Sequence, residues 1–270
     1  MGQAGRLLPF GVADGATHMA TDSWLLDELI SGRQPPLLRF YRWQPVALSL
    51  GYHQRQWPTH WRSLTWQGQG VDVVRRPSGG RAVIHQGDLT YAIALPLAGP
   101  RQAAYRQICD ALIAAWETLG VSLHYGTAGR GYHTQASCFA LATGADLVTA
   151  TGYKLIGSAQ LRRDRYLLQH GSIRLWPDPA LAAHIFGTPA ESPASPPGEL
   201  PPTVDEPWLA AAIAVMVDTL ARSLNITFMP QPLNEQEQTE IQQRRTQWPN
   251  LANSLPGPAA SAQGDIPPHP

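Results

Sequence analysis

The sequence predicts an α+β domain with a mixed, mostly antiparallel sheet flanked by helices. Two observations carry this reading. Strand-length apolar runs and amphipathic helical stretches interleave irregularly, without the βαβ rhythm of a doubly wound fold. The chain also has 270 residues, 43% of them hydrophobic, which is ample for a core.

Taken in order, Thr17 to Ile30 reads as a helix, with Leu25, Leu26, Leu29 and Ile30 as its apolar stripe and Gly32 as its stop. Leu37–Trp43 and Val46–Gly51 are parted only by Gln44-Pro45 and read as a hairpin. Val71–Arg75, Ala82–His85 and Leu89–Leu97 are further strands, the first two separated by the turn-forming Arg76-Pro77-Ser78-Gly79-Gly80-Arg81. Tyr105–Leu119 is the clearest amphipathic helix, ended by Gly120. Val121–Tyr125 follows as a strand, 126–137 as a loop, and Phe139–Ala150 as a weakly marked strand pair. Lys154–Gln160 and Tyr166–Ile173 read as strands and Pro179–Phe186 as a short helix. Seven prolines between Gly187 and Pro207 mark a linker or surface excursion. Trp208–Leu224 is an apolar-striped helix. Asn234–Gln247 is a polar one, with Asn234 as its N-cap. The Pro-, Ala- and Ser-rich stretch 249–270 is expected to be disordered.

Composition narrows the function. Lys+Arg and Asp+Glu are 20 each, and charged residues are only 15% of the chain. A neutral chain lacks the basic surface that non-specific nucleic-acid binding needs, and it has no polybasic stretch for a membrane surface. No run approaches the roughly 20 apolar residues of a membrane span. The first six residues, Met1 to Arg6, match neither a secretory signal nor a myristoylation site. Two cysteines, Cys109 and Cys138, form no disulfide framework, so a reduced, cytoplasmic setting is expected. His18, His53, His60 and His124 have no metal-ligand spacing, and no metal site is expected.

Four segments carry chemistry. Paired glycines in Arg75–Tyr91 let a ligand approach the backbone, and exposed N–H groups there can hold an oxyanion. Read alone, the same run is a glycine turn between solvated arginines. Gly152–Gln160 holds Lys154, the chain's one lysine among 19 arginines. Arginine replaces lysine at most solvated sites but not where a compact ammonium is needed. Ser137-Cys138-Phe139 places a cysteine beside a loop, where cationic neighbours would make it nucleophilic. The blander state is a small buried residue, which is also the reading for Cys109 within its helix. His170, in Gln169-His170-Gly171-Ser172-Ile173, reads with His85 and His133 as a hydrogen-bonded structural histidine.

Together these segments resemble the catalytic domain shared by lipoate-protein ligases, octanoyltransferases and biotin-protein ligases. Arg75–Tyr91 is similar to the family's R-R-x-S-G-G-x-A-V-x-H-x-x-G-x-L-x-Y signature. Gly152–Gln160 resembles its G-x-K-x-x-G-S-A-Q segment, and Leu168–Ile173 its H-G strand. The resemblance covers roughly residues 17–230, including the excursion at 187–207; it leaves 231–248 as a C-terminal helix and 249–270 as a tail. It implies a core related to class II synthetases and an acyl or lipoyl group that ends on a carrier-domain lysine. It also implies that Arg76, Ser78, Gly79, Gly80 and His85 line the acyl and headgroup site. Lys154 then matches the catalytic lysine, with backbone donors near Gly79-Gly80 or Gly157-Ser158 sharing the oxyanion role. Cys138, 16 residues before Lys154, resembles the nucleophile of the cysteine-dependent octanoyltransferase branch. A related amidotransferase branch shares that cysteine. The implied donor is octanoyl-acyl carrier protein, the acceptor a lipoyl domain such as glycine cleavage H protein, and no cofactor is needed. Two alternatives stand beside this reading. One is an ATP- and Mg-dependent lipoate ligase with Cys138 a bystander; the other is a non-catalytic acyl- or carrier-binding protein.

Overall fold

The computed structural model describes residues 2–126, 145–187, 196–198, 200–201 and 205–253. Its strands are β1 (Gln3–Leu7), β2 (Gly11–Ala13), β3 (Leu37–Trp43), β4 (Ala47–Leu50), β5 (Thr65–Trp66), β6 (Gln69–Gly70), β7 (Asp72–Arg75), β8 (Val83–His85), β9 (Asp88–Pro96), β10 (Leu123–Tyr125), β11 (Leu147–Thr149), β12 (Lys154–Arg163), β13 (Tyr166–Arg174) and β14 (Ile226–Pro230). Its helices are α1 (Gly15–Ile30), α2 (Arg101–Thr118), α3 (Pro179–Phe186), α4 (Glu206–Leu224) and α5 (Glu235–Arg245).

The main sheet runs β10-β11-β12-β13-β9-β3-β1-β14, with β2 also on β3. Ladders from β10 through β9 to β3 are antiparallel, while β1 and β2 join in parallel. The mixed, largely antiparallel sheet is the one expected. Its middle strand, β9, is buried at every position but the last. Strand alternation explains why. Leu89, Tyr91, Ile93 and Leu95 pack with Ile108, Leu112 and Trp116 of α2. Ala92 and Ala94 face the other way, against Trp24, Leu25 and Leu26 of α1. With both faces covered, the strand reads as a continuous apolar run.

The expected hairpin is a correction. β3 pairs with β9, β1 and β2, whereas β4 is the centre of a separate sheet, β7-β4-β8. Gln44-Pro45 thus carries the chain between two layers. Both strands are largely buried and each needs partners on two sides, so they cannot satisfy one another alone. Pro45 also has no N–H for a ladder.

The ends of the chain show what local pattern hides. β1 and β14 pair in parallel from opposite termini, Gln3 opposite Ile226. β1 has no strand-like apolar run and β14 only a short one, Ile226-Thr227-Phe228, so neither shows its pairing locally. Asp14 caps α1 by accepting from Thr17 N–H at 2.7 Å. Helix α2 starts at Arg101, one turn before the amphipathic stripe. Asn234 caps α5 as expected, within a full capping box to Glu237.

Helix α5 packs on α1 and is tied to β1 by the buried pair Arg6–Glu237 at 2.7 Å, so 231–248 belongs to the same body. The first residues of the expected disordered tail are ordered. Asn250 Oδ1 accepts from Val73 N–H at 2.9 Å, and Ala252 is buried beside Leu48 and Val73. A proline-rich composition hid these two contacts. The strand pair expected over 139–150 is half answered. Residues 147–149 form β11, and the rest lies outside the described residues.

Helix α4 is long and apolar enough, by length and composition, to cross a membrane, with mean hydropathy 1.3. The sequence reading found no such run. Here α4 packs against α2 and follows the N-cap Asp205, its five buried residues set on one face.

Candidate active site

The site lies where the two sheets meet. Arg76, Gly80, His85, Gly157 and Ser158 line one cavity, joined by His170 from β13. Ser78 and Gly79 do not line it. Lys154 begins β12 and is 2% exposed, and its partner Asp146 lines the cavity. The structure therefore brings together sequence-predicted residues from three separated segments. Cys138 and His133 lie outside the described residues.

The glycine turn is shaped by close backbone approach. A Cβ on Gly51 would lie 1.8 Å from Gly80 O, and Gly80 has φ +95°. Only glycine fits either demand. Tyr52 N–H donates to Ser78 O at 2.9 Å and clips the turn to the end of β4. The arginines here are not both solvated, as the plain turn reading had them. Arg76 is buried. Its guanidinium donates to Ser49 O at 2.8 Å, Gly79 O at 2.7 Å and Arg81 O at 2.7 Å. Its fork thus crosses and fixes the turn.

Two buried Ser–His–Asp chains flank Arg76. In one, His85 Nδ1 lies 2.9 Å from Asp88 Oδ2 and Nε2 lies 2.8 Å from Ser49 Oγ, with the ring stacked on Trp43 at 3.9 Å. Burial pushes the His85 pKa down against the pull of Asp88, so the ring is neutral near pH 7. In the other, His170 Nδ1 lies 2.8 Å from Asp22 Oδ2, and Nε2 is hydrogen-bonded to Ser78 Oγ. Asp22 is fully buried on α1, paired with Arg39 at 2.7 Å and accepting from Tyr41 at 3.0 Å. Burial alone would raise its pKa, but Arg39 and His170 outweigh that and hold it low. Both histidines are hydrogen-bonded, as expected from sequence.

Sequence reasoning missed Asp22, Asp88 and Ser49. Asp88 lies within the Arg75–Tyr91 run, three residues after His85, but was given no role; for Asp22 and Ser49, which carry no local motif, the signal is tertiary. His170 sits opposite Ala92 in the β13–β9 register, on the face that α1 covers.

Lys154 follows a turn in which Gly152 has φ +83° and donates to Thr149 O at 2.9 Å. Its Nζ lies 2.9 Å from Asp146 Oδ1. Among the described residues, β11 pairs with β12 only as far as Ile156. Beyond it, Gly157 and Ser158 pair with β13 on the other side, and Ser158 Oγ meets Tyr91 OH at 2.8 Å. Cys109 is the structural cysteine expected, 3.7 Å from Gln169 Nε2, and burial pushes its thiol up to about 12. No group of three or more His, Cys, Asp or Glu side chains among the described residues is arranged to hold a metal.

The two-layered α+β body thus sets a glycine turn and a buried lysine beside one cavity walled by both polar and apolar side chains. Residues 14–203 match the lipoyl protein ligase A/B catalytic domain, and the chain belongs to that family. It is 40% identical over 178 residues to Octanoyltransferase LipM of Moorella thermoacetica (63% of this chain, 64% of the relative). The match to LipM of Carboxydothermus hydrogenoformans is also 40%, across 60% of that relative's length. Octanoyltransferase LipM of Symbiobacterium thermophilum is 34% identical over 88% of this chain and 92% of the relative. Among solved structures, a lipoate-protein ligase A bound with ATP matches with TM-score 0.74 at 18% identity, over 93% of this chain and all of that one. Protein Ta0514 of T. acidophilum with bound lipoic acid matches at 0.70 and 18%, over 89% and 94%. At such identities these two structures speak for the fold.

Proposed function

We propose that this chain is a protein N-octanoyltransferase of lipoate biosynthesis, acting in the cytoplasm without ATP or metal. The observation that carries the reading is the similarity to octanoyltransferases, 34% along nearly the full length of the Symbiobacterium protein. In the first step the Cys138 thiolate attacks the thioester carbonyl of octanoyl-acyl carrier protein. The carrier's sulfur leaves as a thiolate, and an octanoyl-enzyme thioester forms. In the second step a lysine amine of a lipoyl domain, such as glycine cleavage H protein, attacks that thioester. Cys138 leaves as the thiolate, the attacking amine gives up one proton to solvent, and the product is an octanoyl amide.

The residue chemistry supports these roles. A thioester exchange needs a thiolate, and a nearby ammonium stabilises both the thiolate and the tetrahedral oxyanion. Lys154 supplies that ammonium, aimed by Asp146 at 2.9 Å. Backbone N–H groups near Gly79-Gly80 or Gly157-Ser158 share the oxyanion role. Arg76, Ser78 and His85 shape the wall along which the acyl chain lies. The donor arrives activated, so no adenylate is formed.

The test is product formation on an apo-lipoyl domain from octanoyl-acyl carrier protein, with and without ATP. Equal octanoyl amide in both supports the transferase. Amide only from free acid with ATP and Mg would establish a ligase. Acyl binding without turnover would leave a binding protein.

A further inference from the structure

Five hydroxyl-bearing residues line the cavity: Tyr41, Ser49, Thr90, Ser158 and Ser172. Each hydroxyl has one proton to donate. In four of them it is already engaged within the protein. Tyr41 donates to Asp22 at 3.0 Å. Thr90 and Ser172 donate to Asp88 at 3.1 and 2.7 Å. Ser49 donates to His85 Nε2 at 2.8 Å, because the other ring nitrogen, Nδ1, donates to Asp88.

Ser158 differs. Its Oγ meets Tyr91 OH at 2.8 Å, a contact that by geometry admits either direction. The groups behind it choose one. Gln169 Nε2 donates to Tyr91 OH at 3.0 Å and reaches the Cys109 sulfur at 3.7 Å, while its Oε1 accepts from Gln160 Nε2 at 3.2 Å. Tyr91 and Gln169 are fully buried. Burial pushes the Tyr91 phenol far above its usual range, so it keeps its proton. Were Ser158 the donor, that buried proton would have no acceptor among the described residues, at the cost of an unmade hydrogen bond. Tyr91 therefore donates to Ser158 Oγ. The sheet register makes room for this contact. Tyr91, Gly171 and Ser158 lie side by side on β9, β13 and β12. A Cβ on Gly171 would stand 2.6 Å from both the Tyr91 ring and Ser158 Oγ, so phenol and hydroxyl meet over a strand that has no side chain there.

The Ser158 proton is thus left for a ligand. Ser158 is half-buried at the cavity wall, beyond the point where β11 covers β12 among the described residues. An octanoyl group is hydrocarbon except for its carbonyl oxygen, which is the acceptor it brings. We propose that the Ser158 hydroxyl donates to the carbonyl oxygen of the acyl thioester, with Tyr91 and Gln169 as positioning residues that aim it. The inference rests on the transferase reading and adds to it a side-chain donor. Ser158 keeps its proton throughout. Its hydrogen bond strengthens as the carbonyl oxygen becomes the oxyanion of the tetrahedral intermediate, so it acts on the rate more than on binding.

The test is single-turnover acylation by octanoyl-acyl carrier protein, read as carrier thiol released, over a range of donor concentrations. In Ser158→Ala the saturating rate falls about 10²-fold, the cost of one oxyanion donor, while the half-saturating concentration changes little. Tyr91→Phe frees the Ser158 hydroxyl to turn, and the rate falls roughly tenfold, as for coupled members of one network. The double variant is no slower than Ser158→Ala alone, because Tyr91 acts through Ser158. Gln169→Met, which keeps the length and removes the amide, likewise slows the wild type and adds nothing to Ser158→Ala. Acylation of Ser158→Ala near the wild-type rate overturns the proposal, as does a loss confined to the half-saturating concentration. So does a Tyr91→Phe or Gln169→Met loss that multiplies that of Ser158→Ala, which would make those residues merely structural. A wild-type chain that takes no octanoyl group from the carrier, yet forms amide from free acid with ATP and Mg, overturns the transferase reading itself, and the thioester contact with it.

Discussion

His170 and Asp22, 148 residues apart, meet through Nδ1 and Oδ2 at 2.8 Å in a fully buried pair. The carboxylate fixes Nδ1 as the ring's donor, and Nε2 then receives Ser78 Oγ. One buried charge on α1 thus sets the orientation of the glycine turn on the far side of the cavity.

Asp22→Asn tests that chain. The asparagine leaves Arg39 without its charge partner, and breaking such a buried pair costs about 3–5 kcal/mol of stability. The wrong group on Nδ1 also releases Ser78, so acylation slows by roughly 10–100-fold. His170→Gln keeps the Arg39 pair and slows acylation with a smaller loss of stability. Unfolding midpoints and single-turnover rates on both variants measure the two effects apart.

Lys154→Arg retains a positive charge and loses the compact donor. A planar guanidinium does not fit the 2% exposed site beside Asp146 in the same aim. The expected fall in acyl-transfer rate is about 10²–10³, the cost of one oxyanion donor. A rate near that of the wild type would remove Lys154 from the mechanism.

Gly51→Ala probes the turn without removing a polar group. The added Cβ would meet Gly80 O at 1.8 Å, so the turn must move. Overpacking of this kind costs about 1–3 kcal/mol. The displaced Gly80 weakens octanoyl transfer well beyond what the stability loss accounts for. Thermal unfolding beside kcat/KM separates the two.

Acid stability reports on the Arg6–Glu237 pair. Hydrogen bonds from Arg6 hold the Glu237 carboxyl below its usual range, outweighing burial. A depressed folded-state pKa contributes stability that is present above the unfolded value, about 4.3, and is lost as pH falls through the folded one. Urea midpoints of the wild type therefore drop across that acid window. In Glu237→Gln the drop is shallower, and stability is lower at pH 7.

The parts of this molecule that sequence shows best are those where a local pattern carries the cause. The β9 run, the α2 stripe, the Asn234 cap and the Gly79-Gly80 turn all signal themselves. So does Lys154, because a lone lysine among arginines demands its own reason. The β1–β14 pairing does not, since the two partners lie more than 200 residues apart. Nor does the separation of β3 from β4, where a short connection looked like a hairpin but both strands needed other neighbours. The site divides the same way. Arg76, Gly80 and His85 come from one motif, whereas Asp22 is chosen by the face that α1 presents to β13.

The most direct test of the account is intact-protein mass spectrometry after mixing the chain with octanoyl-acyl carrier protein, without ATP or acceptor. Wild type is compared with Cys138→Ala and Cys109→Ala. The account predicts one octanoyl adduct on the wild type and on Cys109→Ala, none on Cys138→Ala, and its discharge by an apo-lipoyl domain. An adduct that survives in Cys138→Ala, or none on the wild type while transfer proceeds, would contradict the acyl-enzyme at its root.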